Sequence, residues 1–326
     1  MDFSLSHVQL AWKSKAASLG REFPARAPSA DVIAAAFRDG LIDDDIDLLS
    51  AAVAVEALAC ESAGAALAFA LHTSIVLSVA GDDRFAALAR GEVVAAVGLS
   101  SDDVACEREG VLSGRASWVG PLTNRGLAVL GVRRSGNETG LRAAVVVALD
   151  QPSVTTEEVE TAALPGFVCG HVTMRDAPFS EVGSPLPIMA RIRILLAAAG
   201  LGMGTRALRE ALQVARTQSY RGAGGEQTVQ GLLADAATEL DAAAMLTWKA
   251  ATEATPTLAA ASMAKLAATE ATQRAVARAT QVVGADSFRA GHVVERLAQD
   301  VRALELFAGR TEALREAVAE QTLPRV

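Results

Sequence analysis

The pattern of apolar residues changes twice along this chain of 326 residues, and that change constrains the fold more than any other feature. Residues 1–92 and 184–326 place apolar side chains at helical spacing, whereas residues 93–183 carry short alternating runs between Gly, Asn and Ser turns. Helical spacing predicts helices, and alternation predicts strands. The sequence therefore predicts a mainly α protein of three domains: an N-terminal helical domain, a central antiparallel sheet or barrel, and a C-terminal helical bundle.

Alanine, leucine and valine dominate the apolar residues. Hydrophobic residues make up 51% of the chain but aromatic residues only 4%, and alanine is the strongest helix former. Residues 64–79 are apolar on every side, which predicts a helix buried inside the helical domain. His72 lies in this stretch and is predicted to be a hydrogen-bonded core histidine, with a catalytic role as the alternative.

Three glycines interrupt the long helix that is predicted to begin at Ile188. Gly200, Gly202 and Gly204 are spaced so that we expect them to share one face and to allow another helix to pack closely.

The composition argues against several classes of protein. No apolar run reaches the roughly 20 uncharged residues of a membrane span, and the first residues do not resemble a signal peptide. A net charge of −8 opposes nucleic acid as a partner. Cys60, Cys106 and Cys169 are far apart and odd in number, which favours buried or free thiols over disulfides or a metal site. We therefore expect a cytoplasmic protein without a metal.

The segment from Gln281 to Glu312 carries the most specific motif. A helix ends at Gly284, a turn follows, a second helix runs from about His292 to Leu306, and a bend at residues 308–310 leads into a last helix. This layout resembles the C-terminal signature of the acyl-CoA dehydrogenase family, which has a glycine turn, a helix with Pro-Val-Glu-Arg-Leu-x-Arg-Asp, and a Glu-Gly-Thr bend. The residues that match at the same spacing are Val294, Glu295, Arg296, Leu297 and Asp300.

Further matches follow in the family's order along nearly the whole chain. They are Gly91-Glu92, Leu112-Ser113-Gly114 with Trp118, Leu233-Ala234-Asp235, Met263-Ala264-Lys265 and Glu270. The resemblance implies an N-terminal helical domain, a middle β-barrel-like domain and a C-terminal four-helix bundle, through which family members form dimers or tetramers.

The resemblance also implies a chemistry that this chain does not fully support. Family members remove the α-proton of an acyl-CoA thioester with a carboxylate and pass a hydride to FAD. The two positions known to supply the carboxylate correspond to Ala308 and to Ile192, which is followed by Arg193. Neither side chain accepts a proton, so no catalytic residue is predicted. Arg310 replaces the family's Thr and is a weak candidate for substrate binding; a surface ion pair is the alternative.

The contacts that the resemblance implies for FAD are only partly retained. The Gly-Ser portion after the first strand and the Thr after Trp118 are missing, and Ala285 and Ser287 replace turn glycines. In the family, neighbouring subunits share each flavin, so this chain can still supply contacts to a partner's flavin. Gln227 and Gln281 belong to this shared half of the site. Gly284 is retained from the glycine turn, and Arg216 or Arg221 is the candidate replacement for the family's pyrophosphate-binding arginine.

These departures predict a subunit without its own base or complete FAD site. It would act with a catalytic acyl-CoA dehydrogenase subunit, as a heterodimer or α2β2 heterotetramer, on an acyl-CoA from a fatty acid or steroid side chain. Two alternatives stay open. One is a homomeric flavoenzyme of the same fold with altered chemistry, in which Arg310 or His292 lines the cleft. The other is a cofactor-free binding or structural protein.

Overall fold

The computed structural model describes residues 5–23, 27–42, 46–79, 81–82, 85–99, 105–108, 110–123, 125–134, 143–217 and 225–323. Within these ranges the order of helices, strands and helices is the predicted one. The N-terminal helices are α1 (His7–Glu22), α2 (Ser29–Arg38), α3 (Leu48–Ala59), α4 (Ala63–Val76) and the short α5 (Ala86–Ala89). Every residue of α4 is buried, as its uniformly apolar sequence predicts.

His72 connects α4 to neighbouring segments of the core through two hydrogen bonds. Its Nε2 donates to the carbonyl of Leu88, and its Nδ1 accepts from the amide of Ala95, both at 3.1 Å. The two partners fix the neutral tautomer, and burial lowers the pKa of His72 to about 4. The prediction of a core histidine is confirmed.

The lowered pKa of His72 makes the free energy of unfolding depend on pH. The unfolded chain binds a proton on this histidine near its ordinary value of 6.5, whereas the folded chain does so only near 4. Stability is therefore lost as the pH falls between these values, by about 3 kcal/mol in total. We expect the stability difference between the wild type and His72→Gln to shrink by about this amount from pH 7 to pH 4 in denaturant titrations.

The control for this measurement is His7→Gln, which changes an exposed histidine of α1. It should keep the pH dependence of the wild type. A His72→Gln variant whose unfolding free energy follows the wild-type curve in parallel at every pH would contradict the proposed origin of the effect.

The middle region holds eight described strands. They are β1 (Val94–Gly98), β2 (Ala105–Arg108), β3 (Val111–Val119), β4 (Gly126–Arg134), β5 (Ala143–Ala148), β6 (Val154–Val159), β7 (Cys169–Ala177) and β8 (Ser180–Gly183). They form one sheet in the order β6-β7-β3-β2-β4-β5-β8, and β1 pairs with β4 beside β2.

The parallel pairs of this sheet differ from the predicted antiparallel sheet or barrel, and its ends decide between sheet and barrel. Most pairs are antiparallel, but β1 and β2 lie one after the other along the same edge of β4 and run parallel to it. Among the described pairings none joins β6 to β8, so the sheet is an open path rather than a closed barrel. Alternation of apolar residues indicates strands without giving their direction, which is why the sequence missed the parallel pairs.

The C-terminal helices are α6 (Pro185–Thr217), α7 (Gly225–Ala251), α8 (Leu258–Val283), α9 (Val293–Leu306) and α10 (Thr311–Thr322), with a 3-10 turn at Gly284–Phe288. In the described chain α6 alone is long and apolar enough to cross a membrane, but 78% of its most apolar stretch is buried inside the protein. It is the core helix of the bundle, in contact with α3, α4, α7, α8 and α9.

The glycines of α6 allow close packing, but on two faces rather than the predicted one. A Cβ on Gly202 would lie 2.2 Å from the carbonyl oxygen of Glu56 in α3. A Cβ on Gly204 would lie 2.5 Å from Leu240 in α7. At ~100° per residue, positions 202 and 204 point to opposite sides of a helix. The prediction of a shared face is wrong, while the prediction of close contact is confirmed.

A buried carboxylate ties the bundle to the middle region. Asp300 in α9 is 1% exposed and accepts a hydrogen bond of 2.5 Å from the amide of Leu164. Burial raises the pKa of Asp300 to about 6, although this bond and Arg296 oppose the shift. The Asp of the C-terminal motif thus connects α9 to the loop before β7 through a hydrogen bond.

Candidate functional site

The bend between α9 and α10 is the place where the resemblance puts the missing base. Ala308 has φ = 54° and Gly309 has φ = 110°, so two consecutive residues take the left-handed region. Glycine tolerates this conformation, but alanine does so at a cost. Such a bend persists only when its surroundings hold it in place, and two buried cations do so here.

Lys265 of α8 is the first of these cations. Its side chain is 0% exposed, and Nζ donates to the carbonyls of Glu305 at 3.1 Å, of Gly309 at 2.7 Å and of Phe307. These carbonyls include the end of α9, where the helix dipole is negative. Burial, together with Arg193, lowers the pKa of Lys265 to about 7, while Glu305 acts in the opposite direction.

Arg193 of α6 is the second cation, and it is 7% exposed. Its Nε donates to the carbonyl of Ala308 at 2.9 Å, and its Nη1 donates to the hydroxyl of Ser262 at 2.6 Å. Burial lowers its pKa to about 10. Lys265 and Arg193 together hold four of the five carbonyls from residue 305 to residue 309, and we call this arrangement the cation-held bend.

The positions implied for the base contain no proton acceptor. Ile192 is 1% exposed and lies in α6 next to Arg193, the residue whose guanidinium donates to the carbonyl of Ala308. The closest carboxylate along the bend is that of Glu305. Its Oε1 accepts from Thr311 at 2.9 Å, and its Oε2 accepts from Gln273 at 2.7 Å and from Arg302 at 3.4 Å. A carboxylate bound by three donors is not available as a base in this geometry.

An aromatic pair closes the space between the bend and the sheet. The rings of Phe307 and Phe167 meet edge to face, with centroids 5.5 Å apart. Phe167 is 4% exposed, and its ring covers Gly120, where a Cβ would lie 2.7 Å from Cζ. The backbone next to Ala308 is therefore packed against apolar side chains from the middle region.

A family model described as acyl-CoA dehydrogenase, C-terminal domain, matches residues 187–323. The electron transferring flavoprotein of Acidaminococcus fermentans is 20% identical, covers 100% of both chains and has a TM-score of 0.86. Butyryl-CoA dehydrogenase of Megasphaera elsdenii is 19% identical, with 99% of this chain and 100% of that chain covered and a TM-score of 0.85. This is the acyl-CoA dehydrogenase fold.

A third similar structure is a glutaryl-CoA dehydrogenase of Mycobacterium smegmatis in complex with FADH2. It is 14% identical, with 98% of this chain and 96% of that chain covered and a TM-score of 0.85. A search of curated protein sequences found no match. The match of residues 187–323 agrees with the C-terminal motif, and at these identities the structures establish the fold.

Two residues are candidates for a remodelled cleft: Arg310 at the end of the bend and His292 just before α9. The side chain of Arg310 is 76% exposed and lies 3.9 Å from the carboxylate of Glu312. His292 caps α9, because its Nδ1 accepts from the amide of Val294 at 3.2 Å. The arginine thus takes part in the ion pair given as its alternative, and the histidine has a structural role as a helix cap.

The residues predicted to contact FAD lie at the far end of the bundle from the bend. Gln227, Gln281 and Arg216 are exposed, and an added Cβ on Gly284 would meet nothing within 4 Å. Arg221 lies outside the described residues. Gln281 and Lys265 are sixteen residues apart on α8, which is roughly 24 Å along a helix. The candidate FAD contacts and the bend therefore lie in different parts of the bundle.

Proposed function

We propose that this chain is a non-catalytic subunit of a heteromeric, FAD-dependent acyl-CoA dehydrogenase, with a partner subunit that supplies the base. The observation that carries the proposal is the cation-held bend. Ala308 and Ile192 bear only alkyl groups, and the groups that surround the bend are the cations Arg193 and Lys265. Arg193 stays charged near neutral pH and accepts no proton there, and the three donor positions of the Lys265 amine point to carbonyls of the chain rather than to a substrate.

The distribution of the candidate FAD contacts supports a shared flavin. Gln227, Gln281 and Arg216 are exposed, an added Cβ on Gly284 would meet nothing within 4 Å, and all four lie at one end of the bundle. They would hold one part of a flavin whose ring lies on the partner. The FAD would accept the hydride from the acyl-CoA, and this chain would contribute binding and orientation. We keep a cytoplasmic heterodimer or α2β2 tetramer as part of this proposal, with domains at residues 1–92, 93–183 and 184–326.

The test is to co-express the chain with an acyl-CoA dehydrogenase encoded beside it and to count FAD per subunit. We expect a yellow complex with fewer flavins than subunits, and no tightly bound FAD on this chain alone. Gln281→Ala and Gln227→Ala should lower the FAD content of the complex. Gln299→Ala, at an exposed position of α9, should leave it unchanged.

Two results would count against the proposal. A colourless and inactive mixture would favour a cofactor-free protein. One FAD bound to each isolated chain and reduced by an acyl-CoA would favour a homomeric flavoenzyme instead.

A further inference from the structure

The two cations of the bend differ in how their charge is compensated. Lys265 is surrounded by three carbonyl oxygens, which match the three N–H donors of an ammonium. Arg193 has five N–H donors, but only one carbonyl and one hydroxyl accept from it. Within the described ranges no carboxylate forms an ion pair with either side chain. A buried cation is costly unless it is paired, so the compensation at Arg193 is incomplete.

The nitrogen of Arg193 that lacks a hydrogen-bond acceptor is Nη2. Nη2 donates to no group in the described chain, although the residue is only 7% exposed. It is not among the polar atoms that are sealed from solvent without a partner. A path to this nitrogen from outside therefore remains.

Gly309 keeps the space in front of Nη2 open. A Cβ at position 309 would stand 2.9 Å from Nη2, which is too close for any side chain to be accommodated without movement. The glycine has φ = 110°, and the bend is fixed around it by the carbonyl contacts of Lys265 and Arg193. The largely buried and unpaired Nη2 of Arg193 therefore faces the position that a Cβ of residue 309 would occupy.

We propose that Arg193 Nη2 binds a carboxylate group of a small-molecule ligand at the cation-held bend. Carboxylate oxygens form short, charge-assisted hydrogen bonds with guanidinium donors, and the ligand would supply the negative charge that the chain lacks there. A carboxylate oxygen accepts from a guanidinium donor at ~2.7–2.9 Å, which is about the separation between Nη2 and the position of a Cβ at residue 309. The site is independent of the proposed function, because it lies within one chain and involves no flavin.

The experiment uses the purified full chain and titrates acetate at constant ionic strength, with binding measured by calorimetry. Acetamide, a neutral molecule of the same shape, is the comparison ligand. We expect saturable acetate binding and none with acetamide. Arg193→Gln should weaken acetate at least about 10-fold, the factor that corresponds to ~1.4 kcal/mol, whereas Arg289→Gln, at a side chain that is 77% exposed and away from the bend, should leave it unchanged.

Gly309→Ala provides a second variant, in which both cationic residues are unchanged. It should also abolish acetate binding, because its methyl group enters the space in front of Nη2. Calorimetry on the wild type alone decides the matter if Arg193→Gln does not fold. Equal heats from acetate and acetamide, acetate binding that survives both substitutions, or binding of inorganic phosphate in place of acetate would each overturn the proposal.

Discussion

Replacing Lys265 by methionine should lower the free energy of unfolding by about 3 kcal/mol. The substitution keeps the length and the apolar stem of the side chain but removes the donors to the carbonyls of Glu305, Phe307 and Gly309. Each buried carbonyl left without a donor costs ~1–3 kcal/mol. Removing a buried charge offsets part of this loss, so the net effect is smaller than the sum. Chemical denaturation with a linear extrapolation measures it.

The location of the damage distinguishes this explanation from general destabilisation. Amide hydrogen exchange should accelerate at residues 305–312 in Lys265→Met, because those carbonyls hold the bend, before it accelerates in α7. Lys249→Met is the matched control, since Lys249 is exposed on α7, and surface substitutions change stability by ~0.5 kcal/mol or less. If Lys265→Met and Lys249→Met unfold at the same denaturant concentration, the three hydrogen bonds do not stabilise the bend.

The sequence predicts the parts of the fold that depend on local pattern. The burial of α4 follows from its uniform apolar residues, and the cap of α9 by His292 follows from a polar residue placed just before a helical pattern. The direction of β1 and β2 along β4 does not follow, because pairing partners far apart in the chain decide it.

The sequence likewise predicts some parts of the candidate site and not others. Spacing within the C-terminal motif identifies the bend at Ala308, and the family model covers that segment. It does not reveal which arginine faces the bend, because Arg310 lies in the bend and points to solvent while Arg193 reaches it from α6. A usable signal for Lys265 does exist: it is the one lysine between residues 258 and 283, in a helix otherwise rich in alanine. A buried lysine needs several oxygen acceptors, and helix ends supply them.

Replacing Gly202 by alanine should lower the free energy of unfolding by about 3 kcal/mol, by separating α6 from α3. The new Cβ would stand 2.2 Å from the carbonyl oxygen of Glu56 and 2.7 Å from the Cβ of Ala59. Neither is the end of a flexible side chain, so a helix must move. Overpacking a core usually costs ~1–3 kcal/mol, and a clash with backbone places this site at the upper end.

Gly231→Ala makes the same chemical change in α7, at a position where an added Cβ meets nothing within 4 Å. Alanine is favoured over glycine in a helix by ~1 kcal/mol, so this variant should be more stable than the wild type. Opposite signs for the two substitutions, measured by chemical denaturation under identical conditions, would assign the loss at position 202 to the contact between α6 and α3. A gain in stability at both positions would show that α6 can move away from α3 at little cost, and the close packing of the N-terminal helices on the bundle would then not depend on this glycine.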